Sequence, residues 1–403
     1  MFRTLGITTL TVVFWTCGNT PLSPAADTGT AGDVAAASPS VDLDAGAGAP
    51  ATGGGPGLTG GGTGATGGGS SATGGGSANP VPMADAGSAD AGVLDAGGTT
   101  LTPPPDAGSG QVSPPDAGPV VRFVAIGDTG KSNAGQHQVG AAMGTLCAAQ
   151  GCDFVVLLGD NFYPSGVSST TDPLWQTAFV DPYATVNAPF YAVLGNHDYG
   201  GDGAGTDLPR GDNEVAYSLV NPKWRMPAHH FKWRLQHVEF FAGDTNRSMF
   251  SVDQDARRDF DTWLPASTAQ WKIVFAHHPY KSNGEHGNAG NYDGLSFIPV
   301  ANGAGVKRFV EERVCGRADF YITGHDHNIQ LLQDTCTRPG SNLHTQLMLS
   351  GGAAATTPLK GSNPTWYQTA DLGFVYVVIT GNVMTSTVYD ANGVAQFTRT
   401  FTK

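Results

Sequence analysis

The sequence predicts an α/β fold: a sandwich of two mixed β-sheets flanked by helices, preceded by a disordered tether. Three observations carry that expectation. Five apolar runs are each followed directly by residues among which stand Asp, Asn, His or Tyr, as when a sheet assembles one site at the carboxyl ends of its strands. The first two runs are joined by a stretch of helical spacing, a βαβ unit, whereas 346–401 shows strand patterns without an obvious helix. Finally, residues 20–120 contain no Lys, Arg, Glu or aromatic residue. Such a segment cannot bury enough apolar surface to offset the entropy of ordering it.

Taken in order, the chain opens with Met1-Phe-Arg3, an apolar segment from Leu5 to Trp15, and Cys17. A basic start and a short apolar core fit an export signal over 1–19, and the run is short for a membrane span. The product is expected to be secreted or anchored to the cell envelope. Cys17 stands where a lipid-acceptor cysteine would, and lipid anchoring and simple cleavage both remain open. Residues 20–118 form the tether, with Gly clusters and the repeat Asp-Ala-Gly at 44, 85, 90, 95, 106 and 116. The nine Asp between 20 and 120 supply most of the chain's net charge of −13. No basic stripe appears, so nucleic acid is not an expected partner.

The folded domain is expected over 119–403. Strands are read at 121–126, 154–158, 190–194, 237–242, 271–276 and 319–323, then at 346–350, 374–379, 383–389 and 395–401. Helices are read at 134–149, 173–183 and 253–264, with Asp253 as a cap and Pro265 beyond the end of the last. Residues 200–216, rich in Gly and Asp, read as a surface loop. Four cysteines remain in this region, and an even number fits an oxidising compartment. The favoured pairing is local, Cys147 with Cys152 and Cys315 with Cys336, with four free thiols as the alternative.

The segments at the strand ends are Gly127-Asp-Thr-Gly130, Gly159-Asp-Asn-Phe-Tyr163, Gly195-Asn-His-Asp198, Val274-Phe-Ala-His277 and Gly324-His-Asp-His327. Carboxylate, phenolate, amide and imidazole together suit hard or borderline metal ions. In this order the segments resemble the five motifs of the purple acid phosphatases, within the calcineurin-like metallophosphoesterases. The resemblance covers about 121–390 and is nearest the compact tartrate-resistant type, through Asp160-Asn-Phe-Tyr-Pro-Ser-Gly-Val167 and Gly324-His-Asp-His-Asn-Ile-Gln-Leu-Leu-Gln-Asp334. It implies a metallophosphoesterase sandwich and a dinuclear centre of Fe(III) with Fe(II), Zn(II) or Mn(II). Asp128, Asp160, Tyr163 and His327 would hold one ion; Asp160, Asn196, His277 and His325 would hold the other. It further implies hydrolysis of phosphate monoesters by in-line attack of a metal-activated hydroxide, with an acidic optimum. His197 and His286 would contact the phosphate and protonate the leaving group. Thr129 departs from the pattern, since the mammalian type carries Trp there.

The expected partners are small phosphorylated substrates, and the expected state is a monomer. Three other readings compete. Gly127-Asp-Thr-Gly-Lys-Ser132 suggests a nucleotide-binding loop, but Ala125 stands where such a loop needs Gly. A phosphodiesterase or nucleotide-cleaving enzyme could use the same dimetal site. A surface-anchored binding protein could use the domain as a scaffold.

Overall fold

The computed structural model describes residues 118–403. The export signal, Cys17 and nearly all of the tether expected from the sequence lie outside the described residues. Fourteen strands are present among the described residues. They are β1 (Val120–Ile126), β2 (Phe154–Leu157), β3 (Phe190–Ala192), β4 (Trp224–Arg225), β5 (Phe231–Leu235), β6 (Val238–Ala242) and β7 (Trp271–Phe275), then β8 (Phe320–Thr323), β9 (Ile329–Cys336), β10 (Thr345–Ser350), β11 (Thr365–Thr369), β12 (Gly373–Thr380), β13 (Val383–Asp390) and β14 (Ala395–Thr402). Five α-helices accompany them: α1 (Ala134–Gln150), α2 (Asp212–Tyr217), α3 (Thr245–Met249), α4 (Gln254–Ala266) and α5 (Ala304–Phe309).

The strands form two seven-stranded sheets, ordered β14-β13-β12-β1-β2-β3-β4 and β11-β9-β10-β8-β7-β6-β5. In the first, β1 to β4 run parallel and the last three strands of the chain add antiparallel. In the second, β6, β7, β8 and β10 run parallel between antiparallel neighbours. The apolar runs explain the parallel centre, since a strand covered on both faces needs no polar alternation. All four residues of β2 and all four of β8 are buried.

Aromatic rings join the sheets. Phe123 of β1 and Phe154 of β2 stack at 5.3 Å, and Phe240 of β6 meets both edge-on, at 5.4 and 5.0 Å. Edge-to-face pairs of this kind add about 0.5–1.5 kcal/mol each beyond the area they bury. A second apolar cluster lies on the other face of the β7 sheet, where Phe241, Phe260 of α4 and Phe309 of α5 pack together. At the strand ends the sheets are also stitched by hydrogen bonds, because Gly127 N–H donates to Ser350 O (2.7 Å) and the Ser350 hydroxyl to Ala125 O (2.8 Å).

The structure corrects several local expectations. The segment 200–216 is not wholly loop: a 3-10 turn at Leu208–Gly211 leads into α2, which carries buried Glu214 and Tyr217. In place of an α-helix over 173–183 there is a single π turn, Trp175–Val180. Pro265 sits inside the last turn of α4, and the Asp253 side chain does not cap that helix. It accepts instead from the Ser248 hydroxyl (2.6 Å) and Arg257 Nε (2.8 Å). Both expected disulfides are present, Cys147–Cys152 and Cys315–Cys336. Among the described residues no helix is long and apolar enough to cross a membrane.

Candidate metal centre

The parallel strands deliver the candidate ligands to one edge of the sandwich. Asp128 follows β1, Asp160 follows β2, Asn196 follows β3, His277 follows β7, and His325 and His327 follow β8. Three of these six turn in the left-handed region, Asp128 at φ 59°, Asp160 at φ 52° and His325 at φ 73°. Asp and His tolerate that region better than most residues. Each is preceded by a glycine, and the glycines before Asp160, Asn196 and His325 leave room for another candidate ligand. A Cβ on Gly195 would lie 2.2 Å from Asp160 Oδ1, and one on Gly324 would lie 2.6 Å from Asp128 Oδ2.

The first group gathers around the Tyr163 hydroxyl. Asp160 Oδ2 lies 2.9 Å away, His327 Nε2 3.0 Å and Asp128 Oδ1 3.3 Å. One phenolic oxygen thus lies within hydrogen-bond reach of two carboxylates and an imidazole nitrogen. The second group surrounds His277. Its Nδ1 donates to Leu158 O (2.8 Å), so the Nε2 lone pair faces Asn196 Oδ1 at 3.0 Å and Asp160 Oδ1 at 3.4 Å. Asn196 cannot turn its amide to donate there, because its Nδ2 is bonded to Gly203 O (2.9 Å). His325 Nδ1 completes the group, 3.1 Å from His277 Nε2. Lone pairs converging without enough protons between them are what a cation satisfies. Asp160 presents one oxygen to each group, the geometry of a bridging carboxylate.

The electrostatics agree with that fit. Burial and the neighbouring Asp160 push Asp128 well above the usual carboxylate range. Burial also works to raise Asp160, but His277, His197 and the His197 amide outweigh it and hold the group below its ordinary value. Burial depresses His277, and burial with the charge of His286 depresses His325 strongly. His327 is pushed down to about 3 by burial, with Lys131 adding to the effect. Neutral imidazoles are the form that binds metal.

His278 is also buried against His277 and His325, so it could be counted with the ligands. Its partner argues otherwise. The Thr245 hydroxyl accepts from the His278 main-chain N–H (3.0 Å) and lies 3.0 Å from His278 Nδ1, so that ring nitrogen is engaged outside the candidate ligand set. His197 is buried beside Tyr163, ring centroids 4.3 Å apart, with Nδ1 donating to Pro164 O (2.7 Å). His286 stacks on His325 at 4.2 Å, and its Nδ1 bonds Asp293 Oδ1 at 2.8 Å. All nine sequence-predicted site residues therefore meet at this edge.

The family profile described as calcineurin-like phosphoesterase matches residues 121–328, which contain every one of these residues. The chain belongs to that family. The tartrate-resistant acid phosphatase type 5 of Homo sapiens is 30% identical over 322 residues, covering 70% of this chain and 90% of its own. Among solved structures, GAP50, the anchor in the inner membrane complex of Plasmodium, superposes with a TM-score of 0.56 at 20% identity, over 70% of this chain and 89% of that one. The purple acid phosphatase PPD1 of yellow lupin seeds superposes with a TM-score of 0.52 at 16% identity, over 71% and 54%.

Sequence reading missed part of what holds this calcineurin-like phosphoesterase site together. Asp198 and Asp326, each next to a candidate histidine in the sequence, accept hydrogen bonds from main-chain N–H groups. Asp198 accepts Phe162 N (3.0 Å) and Gly195 N (2.8 Å), tying the turn after β2 to the turn after β3. Asp326 accepts His286 N (2.8 Å). Behind Asp198 lies Glu214, which hydrogen-bonds it and receives Asn161 Nδ2 at 3.0 Å. Burial, with the charge of Asp160, pushes Asp198 up to about 7, and burial with Asp198 raises Glu214 further from its usual range. Two buried carboxyls in contact hold a proton between them. Nothing in the local sequence around Glu214 announces this, since its partners are 16 and 53 positions away in the chain.

Proposed function

We propose that this protein is a dimetal phosphatase that hydrolyses phosphate monoesters. The observation that carries the reading is Asp160, whose two oxygens face two groups of lone-pair donors. Asp128, Asp160, Tyr163 and His327 are assigned to one ion and Asp160, Asn196, His277 and His325 to the other. When bound, the two ions supply an activated water and neutralise charge growing on the phosphoryl oxygens. Tyr163 as a phenolate ligand favours Fe(III) in the first position, with Fe(II), Zn(II) or Mn(II) in the second.

The protein's own groups do the rest. His197 and His286, at the border of the ligand set, bind the phosphate oxygens. His286 is held by Asp293 at Nδ1 and by Asp326 at its main-chain N–H, so the proton for the departing alkoxide is assigned to its Nε2. Asp198 and Glu214 keep the two ligand turns at fixed separation. The two disulfides support export to an oxidising compartment, with residues 1–19 as signal and 20–118 as tether, freed or held at the envelope through Cys17.

The test is metal content measured together with turnover. Purified protein should carry two ions per chain and release phosphate from phenyl phosphate. Asp160→Asn should lower both, because the bridge loses a charge to each ion. Two bound ions with no monoester hydrolysis would sink the reading.

A further inference from the structure

Beside His286 a cleft of about 350 Å³ opens between the segments 282–294 and 360–363. Its walls carry the side chains of Glu285, His286, Asn288, Asn291, Lys360 and Asn363; every other lining residue is glycine or serine. No Val, Leu, Ile, Met, Phe, Tyr or Trp side chain lines it. The volume sits at the lower end of ligand pockets, which run from roughly 300 to 1,000 Å³.

The cleft is built from a connected set of hydrogen bonds. Asn283, on the first segment, accepts at its carbonyl from Lys360 N (2.7 Å) and Gly361 N (2.9 Å) and at its side chain from Asn363 N (2.6 Å). Its own Nδ2 donates to Asn363 O (2.8 Å) and Gln368 Oε1 (2.8 Å). Asn363 Nδ2 reaches back to Ser282 O (2.9 Å) and Asn288 Oδ1 (3.0 Å). Across the cleft Lys360 pairs with Glu285, at 2.5 Å. The inner end is His286, stacked on the candidate ligand His325.

We infer that this cleft receives the leaving group, and that it selects phosphate monoesters of polyhydroxylated alcohols, the sugar and polyol phosphates. The inference rests on the phosphatase reading, in which the ester oxygen departs at His286 and the rest of the alcohol lies on the cleft side of that ring. A hydroxyl group both donates and accepts, and side-chain amides match it on both counts. A lipid or an aryl group would find no hydrophobic side chain to pack against. A second phosphate would meet one cation already paired with a carboxylate. The walls fit a neutral polyol on each of these three points.

The experiment compares two esters whose leaving groups are both primary alkoxides, a hexose 6-phosphate and n-butyl phosphate, on metal-loaded full-length protein. The quantity read is the ratio of their kcat/KM values. Two hydrogen bonds realised only with the hexose predict a ratio of about 10 or more. Asn291→Leu and Lys360→Ala, both at exposed positions, should bring it towards 1. A crystal soaked with the hexose phosphate should place the ring against Asn288 and Asn291. A wild-type ratio near 1, or a high ratio that both variants leave in place, overturns the cleft assignment while the phosphatase reading stands. Failure to hydrolyse either ester or phenyl phosphate overturns the phosphatase reading, and the cleft assignment falls with it.

Discussion

Gly195→Ala should cost this protein its metal pair while leaving the fold in place. The backbone at Gly195 is not in the left-handed region, so alanine meets no torsional barrier there. The obstacle is Asp160, the proposed bridging ligand. The new Cβ would lie 2.2 Å from Asp160 Oδ1 and 2.4 Å from Asp160 N, whereas ordinary contact begins at 3.4 Å, so the carboxylate must retreat by about 1.2 Å. Overpacking of that kind costs about 1–3 kcal/mol, which a domain stable by about 5–15 kcal/mol survives. The site does not, because a reacting geometry displaced by about 1 Å loses on the order of 10²-fold in rate. The assay is metal per chain by mass spectrometry after dialysis, with kcat/KM on phenyl phosphate and a thermal melt on the same samples. Gly118→Ala, where nothing lies within 4 Å of the added Cβ, is the matched control. Two ions per chain and activity within about twofold of wild type in Gly195→Ala would refute the bridging role of Asp160.

Three further outcomes are expected. Tyr163→Phe should bleach the visible charge-transfer band of the oxidised protein more than it lowers metal content, read by absorbance and elemental analysis together; a colourless wild type holding two ions removes Fe(III) from the assignment. His286→Ala should slow alkyl phosphates at least about tenfold more than activated aryl phosphates, since only the alkoxide needs the proton; equal losses would reassign the residue to substrate positioning. The third concerns pH. Burial raises Asp198 to about 7, so the folded metal-free protein keeps a proton that the unfolded chain gives up near the ordinary carboxylate range. The stability this contributes is complete at acid pH and lost as pH climbs through about 7. Glu214→Gln removes one charge of the pair and should flatten the fall of Tm between pH 5 and 8; parallel curves for the two proteins would exclude the shared proton.

The candidate ligands were legible because each follows an apolar run, so the sequence marks both the strand and the turn after it. Asp128, Asp160 and His277 could be read for that reason. The sandwich was legible in the same way, through the buried centres of β1, β2, β7 and β8. The edges were not. β4 has two residues and β11 has none buried, so neither carries a period-2 signal. Glu214 was lost inside a segment whose glycines and aspartates suggest loop, although the six residues of α2 suffice to bury it. Asn161 and Ser350 act through partners distant in the chain, and no local pattern records a partner that only folding brings near. His278 lies within the buried histidine cluster, and its Thr245 partner is likewise 33 positions earlier in the chain.

The left-handed turns at Asp128, Asp160 and His325 bear on how such a site can change. Glycine apart, only short polar side chains and histidine enter that region readily; long, β-branched or thiol-bearing residues pay a torsional penalty on top of whatever they do to the metal. At these three positions the backbone therefore selects among ligands before any ion arrives. Exchanges among Asp, Asn and His are open, and they adjust charge within an oxygen and nitrogen donor set. A move to glutamate or cysteine would need the turn itself rebuilt. Drift of this centre towards other metals is thereby channelled along borderline and hard ions, and a thiolate site is remote from it in sequence space.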